Sequence, residues 1–175
     1  MKLNIGIFQY EMRDESPFEK ITRLKEHLFK NPDLDLVVCP ELFISGYGNP
    51  EKINKFSENR EGQCAKKMSG LAKQFSTAIV YGYPESNSKQ LFNSAQLFDK
   101  NGLSIANHRK KMLPPTANES TIFSPGEDSS IITINGIRAA IVICYELEFP
   151  ELIRELALQE VVLIIAPTGQ SSHWP

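Results

Sequence analysis

Cys144 stands where an apolar run, residues 137–143, gives way to an amphipathic helical pattern that begins at Phe149. A thiol at a strand-to-helix turn lies near unpaired backbone N–H groups and the positive end of a helix macrodipole, and both favour an anion. Such a setting is expected to lower the thiol pKa from about 8.5 toward neutrality, and the thiolate is the nucleophilic form. Two other reactive groups follow strand-like runs in the same manner: Glu41 after residues 34–40, and Lys110 after residues 103–108. In α/β sheets, ligand sites gather at the carboxyl ends of strands. A carboxylate, an ammonium and a thiol meeting there form an acyl-transfer apparatus. Glu41 takes the thiol proton, Lys110 stabilises the developing oxyanion, and Cys144 attacks a carbonyl. Taken singly, each has a plainer reading: Cys144 as a small buried side chain, Glu41 as a surface acid, Lys110 as a solvated lysine.

Those positions need elements to hold them. Residues 3–9 are a short apolar run suited to a buried strand. From Pro17, the spacing of Ile21, Leu24 and Leu28 predicts a helix that ends near Asn31-Pro32. Residues 34–40 give a second strand closed by Pro40, so strand, helix and strand make a βαβ unit and point to an α/β fold. Glu41 to Pro50 reads as a loop punctuated by Gly46 and Gly48. A helix is predicted over 63–75, with Met68, Leu71, Ala72 and Phe75 on one face, and a third strand over 77–82. The runs 91–98 and 103–108 flank Asp99-Lys100-Asn101-Gly102, which has the chemistry of a hairpin turn. A proline-rich polar loop spans about 112–128, and Asn135-Gly136 joins a second hairpin between 131–134 and 137–143. After the helix from Phe149, residues 161–166 form a wholly apolar strand. The sheet is therefore mixed, and apolar runs this continuous require cover on both faces, with helices on one and a second sheet on the other.

Composition narrows the function classes. The 175 residues suit a single domain with a sizeable core, and 41% hydrophobic and 23% charged content is ordinary for a globular protein. A net charge of −2 gives no nucleic-acid or membrane-surface footprint. By charge alone, His108-Arg109-Lys110-Lys111 reads as a solvated strand end. The first residues lack the apolar stretch of a signal peptide, and no run approaches the ~18 apolar residues of a membrane span. Cys39, Cys64 and Cys144 are odd in number and without metal-ligand spacing, so a reducing cytoplasm is the expected location and Cys39 and Cys64 are expected to be structural.

Three ordered segments carry a resemblance to a known family. Cys39-Pro40-Glu41-Leu42-Phe43-Ile44-Ser45-Gly46-Tyr47, His108-Arg109-Lys110-Lys111-Met112-Leu113-Pro114 and Cys144-Tyr145-Glu146-Leu147-Glu148-Phe149-Pro150-Glu151 resemble the nitrilase superfamily of carbon–nitrogen hydrolases. The likeness runs from about residue 3 to 167. It implies a four-layer α-β-β-α sandwich and a catalytic triad of Glu41, Lys110 and Cys144. Asn118-Glu119, followed by Phe123 and Gly126, resembles the stretch where a second glutamate supports the site, so Glu119 is expected to orient Lys110 or the substrate. The resemblance implies hydrolysis of a small amide, carbamoyl or nitrile substrate through a thioester. The Tyr145 N–H would assist Lys110 at the oxyanion, and no metal or organic cofactor is needed.

Two departures accompany the resemblance. The family's lysine segment usually opens with tyrosine and carries a histidine two residues after the lysine, where this chain has His108 and Met112. Adjacent residues on a strand point to opposite faces, so one of Lys110 and Lys111 serves the site, and the Arg-Lys pairing selects Lys110. The family's domain also continues with further strands and helices, so residues 1–175 read as one incomplete domain whose C-terminal part is missing, expected to form homo-oligomers. Acyl transfer to an amine, nitrile chemistry, or a non-catalytic interaction module remain alternatives. Phe43, Tyr47, Tyr145 and Trp174 are candidates to line the substrate pocket or to join the core.

Overall fold

Five strands form one sheet in chain order: β1 (Ile5–Ile7), β2 (Leu36–Val38), β3 (Ala78–Asn87), β4 (Gln90–Phe98) and β5 (Ser104–Arg109). The first three run parallel, and β3, β4 and β5 are antiparallel neighbours. A second sheet joins β6 (Ser130–Ile134), β7 (Ile137–Ile141) and β8 (Leu163–Ile165). Its hairpin turns at Asn135 and Gly136, whose φ of 47° and 78° are the left-handed values a two-residue turn requires. These features come from a computed structural model that describes residues 2–9, 13–88, 90–115 and 118–169.

The helices cover the outer faces. Helix α1 (Pro17–Lys30) starts at a capping box of Ser16 and Glu19 with proline in its first turn, and it buries Ile21, Leu24 and Leu28. After the short α2 (Pro50–Lys55), helix α3 (Gln63–Phe75) buries Met68, Leu71 and Ala72. Helices α1 and α3 share one core with Val37, Ile79, Tyr81 and Tyr83. The alternate residues Leu36, Val38, Val80 and Leu97 face Ala139, Ile141 and Ile143 of the second sheet. Beyond the brief α4 (Glu119–Ile122), helix α5 (Pro150–Leu158) lays Leu152 and Leu156 on Ala140 and Val142. The two-residue alternation of a strand thus sends successive side chains to opposite layers. The order is helix, sheet, sheet, helix, as the resemblance implies.

Several boundaries differ from the sequence reading. Strands expected over 3–9, 34–40 and 161–166 pair over three residues each, whereas β3 continues to Asn87 because its ladder with β4 extends that far. Helices α2 and α4 have six and four residues, too short for a periodic apolar pattern to announce them. The second sheet covers less than the first. Ile5 and Ile7 are aligned with Leu36 and Val38 yet are 40% and 67% exposed. Strand β8 lies at the edge of its sheet. No helix among the described residues is long and apolar enough to cross a membrane.

Candidate active site

Backbone packing at the strand ends sets each reactive group. Beyond β2, the Cys39 N–H donates to Val80 O at 2.8 Å, and the chain then presses against β3 at Gly82. A Cβ on Gly82 would lie 2.4 Å from Leu42 N and 2.6 Å from Pro40 O, so the approach that seats Glu41 admits only glycine. Lys110 follows β5; its N–H donates to Asn93 O at 2.8 Å and its carbonyl accepts the Gly126 N–H at 2.9 Å. Cys144 leaves β7 with its N–H bonded to Pro167 O at 3.1 Å, beyond β8. Leu42 beside Glu41, Asn118 beside Glu119, and Cys144 itself have φ of 47°, 56° and 47°. Side-chain-bearing residues in this region cost on the order of 1–3 kcal/mol each and persist where the surroundings over-determine them.

The side chains converge on Lys110. Its Nζ donates to Glu41 Oε1 at 2.7 Å and to both oxygens of Glu119 at 2.9 and 3.0 Å. Asn93 Nδ2 bridges the same two carboxylates, 2.8 Å from Glu41 Oε1 and 3.1 Å from Glu119 Oε2. The Tyr47 hydroxyl donates to Glu119 Oε1 at 2.7 Å, and the Gly169 N–H donates to Glu41 Oε2 at 3.0 Å. Cys144 stands at the same site, close enough for the Glu41 carboxylate and the Lys110 ammonium to act on its thiol electrostatically. Glu41, Asn93, Lys110 and Glu119 are all buried.

Burial and mutual charge set the protonation states. Burial disfavours the charge on Lys110, but Glu41 and Glu119 outweigh it and hold its pKa above the ordinary lysine value. Burial raises Glu41, and Glu119 adds to the rise against the pull of Lys110. Burial and then the Glu41 carboxylate push the Cys144 thiol up to about 12, with Lys110 opposing. The expected depression of this thiol is therefore overturned. The turn it opens is a short 3-10 helix (Cys144–Glu148), and α5 begins only at Pro150, so the sulfur does not sit at an α-helix N-terminus. Cys144 therefore rests as a thiol rather than a thiolate.

The structure brings Glu41, Lys110, Glu119 and Cys144 together. Tyr145 lies beside them, its ring edge-on to Phe149 at 5.1 Å. The cluster 108–111 is not a solvated strand end. His108 and Lys110 are buried, Arg109 pairs with Glu85 at 2.6 Å, and Lys111 Nζ reaches Ser129 Oγ at 2.9 Å. Phe43 is core, packed edge-on against Phe8, whereas Tyr47 reaches the site. Cys39 and Cys64 are buried thiols, both raised by burial, Cys64 to about 12. Trp174 lies outside the described residues. Asn93 and Gly169 went unread. Asn93 lies in a strand of mixed polarity that does not single it out, and Gly169 acts through its backbone.

A family model for carbon–nitrogen hydrolases matches residues 3–175, and the chain belongs to that family. It is 36% identical over 170 residues to a Pseudomonas protegens protein described as a hydrolase in the pqqF 5′ region, covering 95% of this chain and 59% of that one. It is 30% identical over 152 residues to a human omega-amidase, covering 79% and 55%. Among solved structures, it is similar to an amidase from Nesterenkonia sp. AN1, with a TM-score of 0.83 at 23% identity over 98% of this chain and 69% of that chain. The chain thus spans between about half and two thirds of the length of the curated relatives it matches, from 49% to 69%.

Proposed function

We propose that this chain hydrolyses the C–N bond of a small amide through a thioester on Cys144. The observation that carries this reading is the convergence of the Cys144 thiol, Glu41 and Lys110 at one buried site, with Lys110 Nζ donating to Glu41 Oε1. Glu41 accepts the thiol proton as Sγ attacks the amide carbon, so a high thiol pKa is no obstacle: proton and nucleophile move together. The C=O bond opens to a tetrahedral oxyanion, held by the Lys110 ammonium and the Tyr145 N–H. Glu41 returns the proton to the nitrogen, the C–N bond breaks, and ammonia or an amine leaves. Water, deprotonated by Glu41, then attacks the thioester, and the acid departs as Cys144 regains its proton. Glu119, Asn93 and Tyr47 hold Lys110 and Glu41 in register. Relatives described as omega-amidase, 2-oxoglutaramate amidase and (R)-stereoselective amidase support an amide substrate. Three free cysteines suit a reducing compartment.

The test is turnover of short aliphatic amides, with mass spectrometry of acid-quenched protein to detect an acyl adduct. Cys144→Ala is expected to abolish both, and Cys144→Ser to leave a trace, since a hydroxyl is far harder to ionise. Retained turnover in the alanine variant overturns the assignment.

A further inference from the structure

Glu146 is fully buried, and the chemistry above leaves it unused. Its Oε2 accepts the Ile143 N–H at 2.6 Å and its Oε1 accepts the Lys111 N–H at 2.8 Å. Ile143 immediately precedes Cys144, and Lys111 immediately follows Lys110. One carboxylate is therefore bonded to the backbone beside the nucleophile and beside the lysine, just past the ends of strands that belong to different sheets. The third contact is His108 Nε2, 2.8 Å from Oε2. Burial alone would raise Glu146, but His108 and the two backbone N–H groups bring it below its ordinary value. A carboxylate offers only acceptors, so Nε2 carries the hydrogen, while the buried Nδ1 has no hydrogen-bond partner among the described residues.

We propose that Glu146, held by His108, is a positioning residue that sets the separation of Cys144 from Lys110 by clasping the nucleophile turn to the end of β5. The inference rests on the thioester reading of the same site. It follows from the contacts, because no other side chain among those described bonds to the backbone on both sides of this gap. A misplacement of about 1 Å costs on the order of 10²-fold in rate, so a clasp of this kind acts on turnover more than on substrate binding.

The experiment uses the protein that contains these residues, with Glu146→Gln, His108→Leu, His108→Gln and Cys144→Ala compared for kcat, KM and alkylation of Cys144 by iodoacetamide. Glu146→Gln keeps the shape but turns an amide NH₂ toward an N–H donor, and kcat is expected to fall on the order of 10²-fold with KM little changed. His108→Leu is expected to lower kcat and the alkylation rate together. His108→Gln places an N–H near the position of Nε2 and is expected to recover most of both. Equal impairment of the leucine and glutamine variants overturns the clasp, since the loss then comes from packing. Wild-type kcat in folded Glu146→Gln overturns it as well, and if that variant does not fold, the His108 pair decides. Loss of the thioester reading shows separately, as turnover that survives Cys144→Ala.

Discussion

Lys110 Nζ lies 2.7 Å from Glu41 Oε1 with both side chains fully buried. A pair this far from water tolerates the loss of a partner poorly, because the remaining charge has nothing to replace it. Lys110→Ala is expected to lower kcat by at least about two orders of magnitude, the scale of one lost oxyanion stabiliser. It should also destabilise the fold by about 3–5 kcal/mol in urea titration, the usual cost of orphaning a buried charge. Lys111→Ala should be near neutral, since Glu146 uses only its backbone N–H. A reversed order of effects would place the functional lysine one residue later.

Gly82→Ala tests how Glu41 is seated. The atoms that a Cβ would meet belong to the backbone at Pro40, Glu41 and Leu42, so no side chain can swing aside. A loss of about 1–3 kcal/mol in stability is expected, as for other overpacked sites, with a fall in kcat because Glu41 must shift. Gly70 in α3 has nothing within 4 Å of its would-be Cβ. Gly70→Ala should raise stability by roughly 0.5–1 kcal/mol, as a helical alanine does. Thermal melts of both variants check the contrast.

Acid stability should depend on Glu85. Burial would raise its carboxyl, but Arg109, Ser94, Asn107 and Arg60 donate to it and bring it from 4.5 down to about 2. The folded state therefore resists protonation that the unfolded chain accepts. The contribution is complete above about pH 4.5, declines as pH falls, and is gone below about pH 2; it is worth on the order of 3 kcal/mol. Urea midpoints measured from pH 6 to pH 2 should fall across this window, and Glu85→Gln should flatten that part of the profile.

Association is the fourth expectation. Ile5 and Ile7 are exposed where the second sheet stops short, and β8 has no further strand beside it among the described residues. Apolar faces beside open edges drive pairing with other chains. Residues 1–175 expressed by themselves should self-associate in light scattering and turn over amides poorly. A stable, active monomer would show that the uncovered face is tolerated.

The layers were legible because apolar runs and turn residues carry them: Leu24, Leu28, Met68 and Leu71 recur at helical spacing, and Asn135-Gly136 marks its hairpin. Glu41, Lys110 and Cys144 were legible as reactive groups after strands, and their ordered segments tied them together. The protonation of Cys144 was not, because it depends on Glu41, over 100 positions away in sequence, and on how deeply the turn is buried. Asn93 and Glu146 escaped for a similar reason: their partners lie on distant segments, so local sequence does not say which groups they bond. Charge counting misread 108–111, since neutralisation by Glu41, Glu119, Glu85 and Glu146 arises only on folding.

Cys144 hangs from the smaller sheet, while Glu41, Asn93 and Lys110 are fastened to the larger one. The ladder of β3 and β4 runs through nine residue pairs, from Ile79↔Phe98 to Asn87↔Gln90, but β7 and β8 share three. Ladders of such unequal length are expected to open at unequal free energy. Amide hydrogens of β8 and of the 144–148 turn should exchange with deuterium well before those of β3 and β4. Exchange in that order would mean that the nucleophile leaves and rejoins its acid–base cluster, and that the lifetime of the working site is set by the weaker sheet.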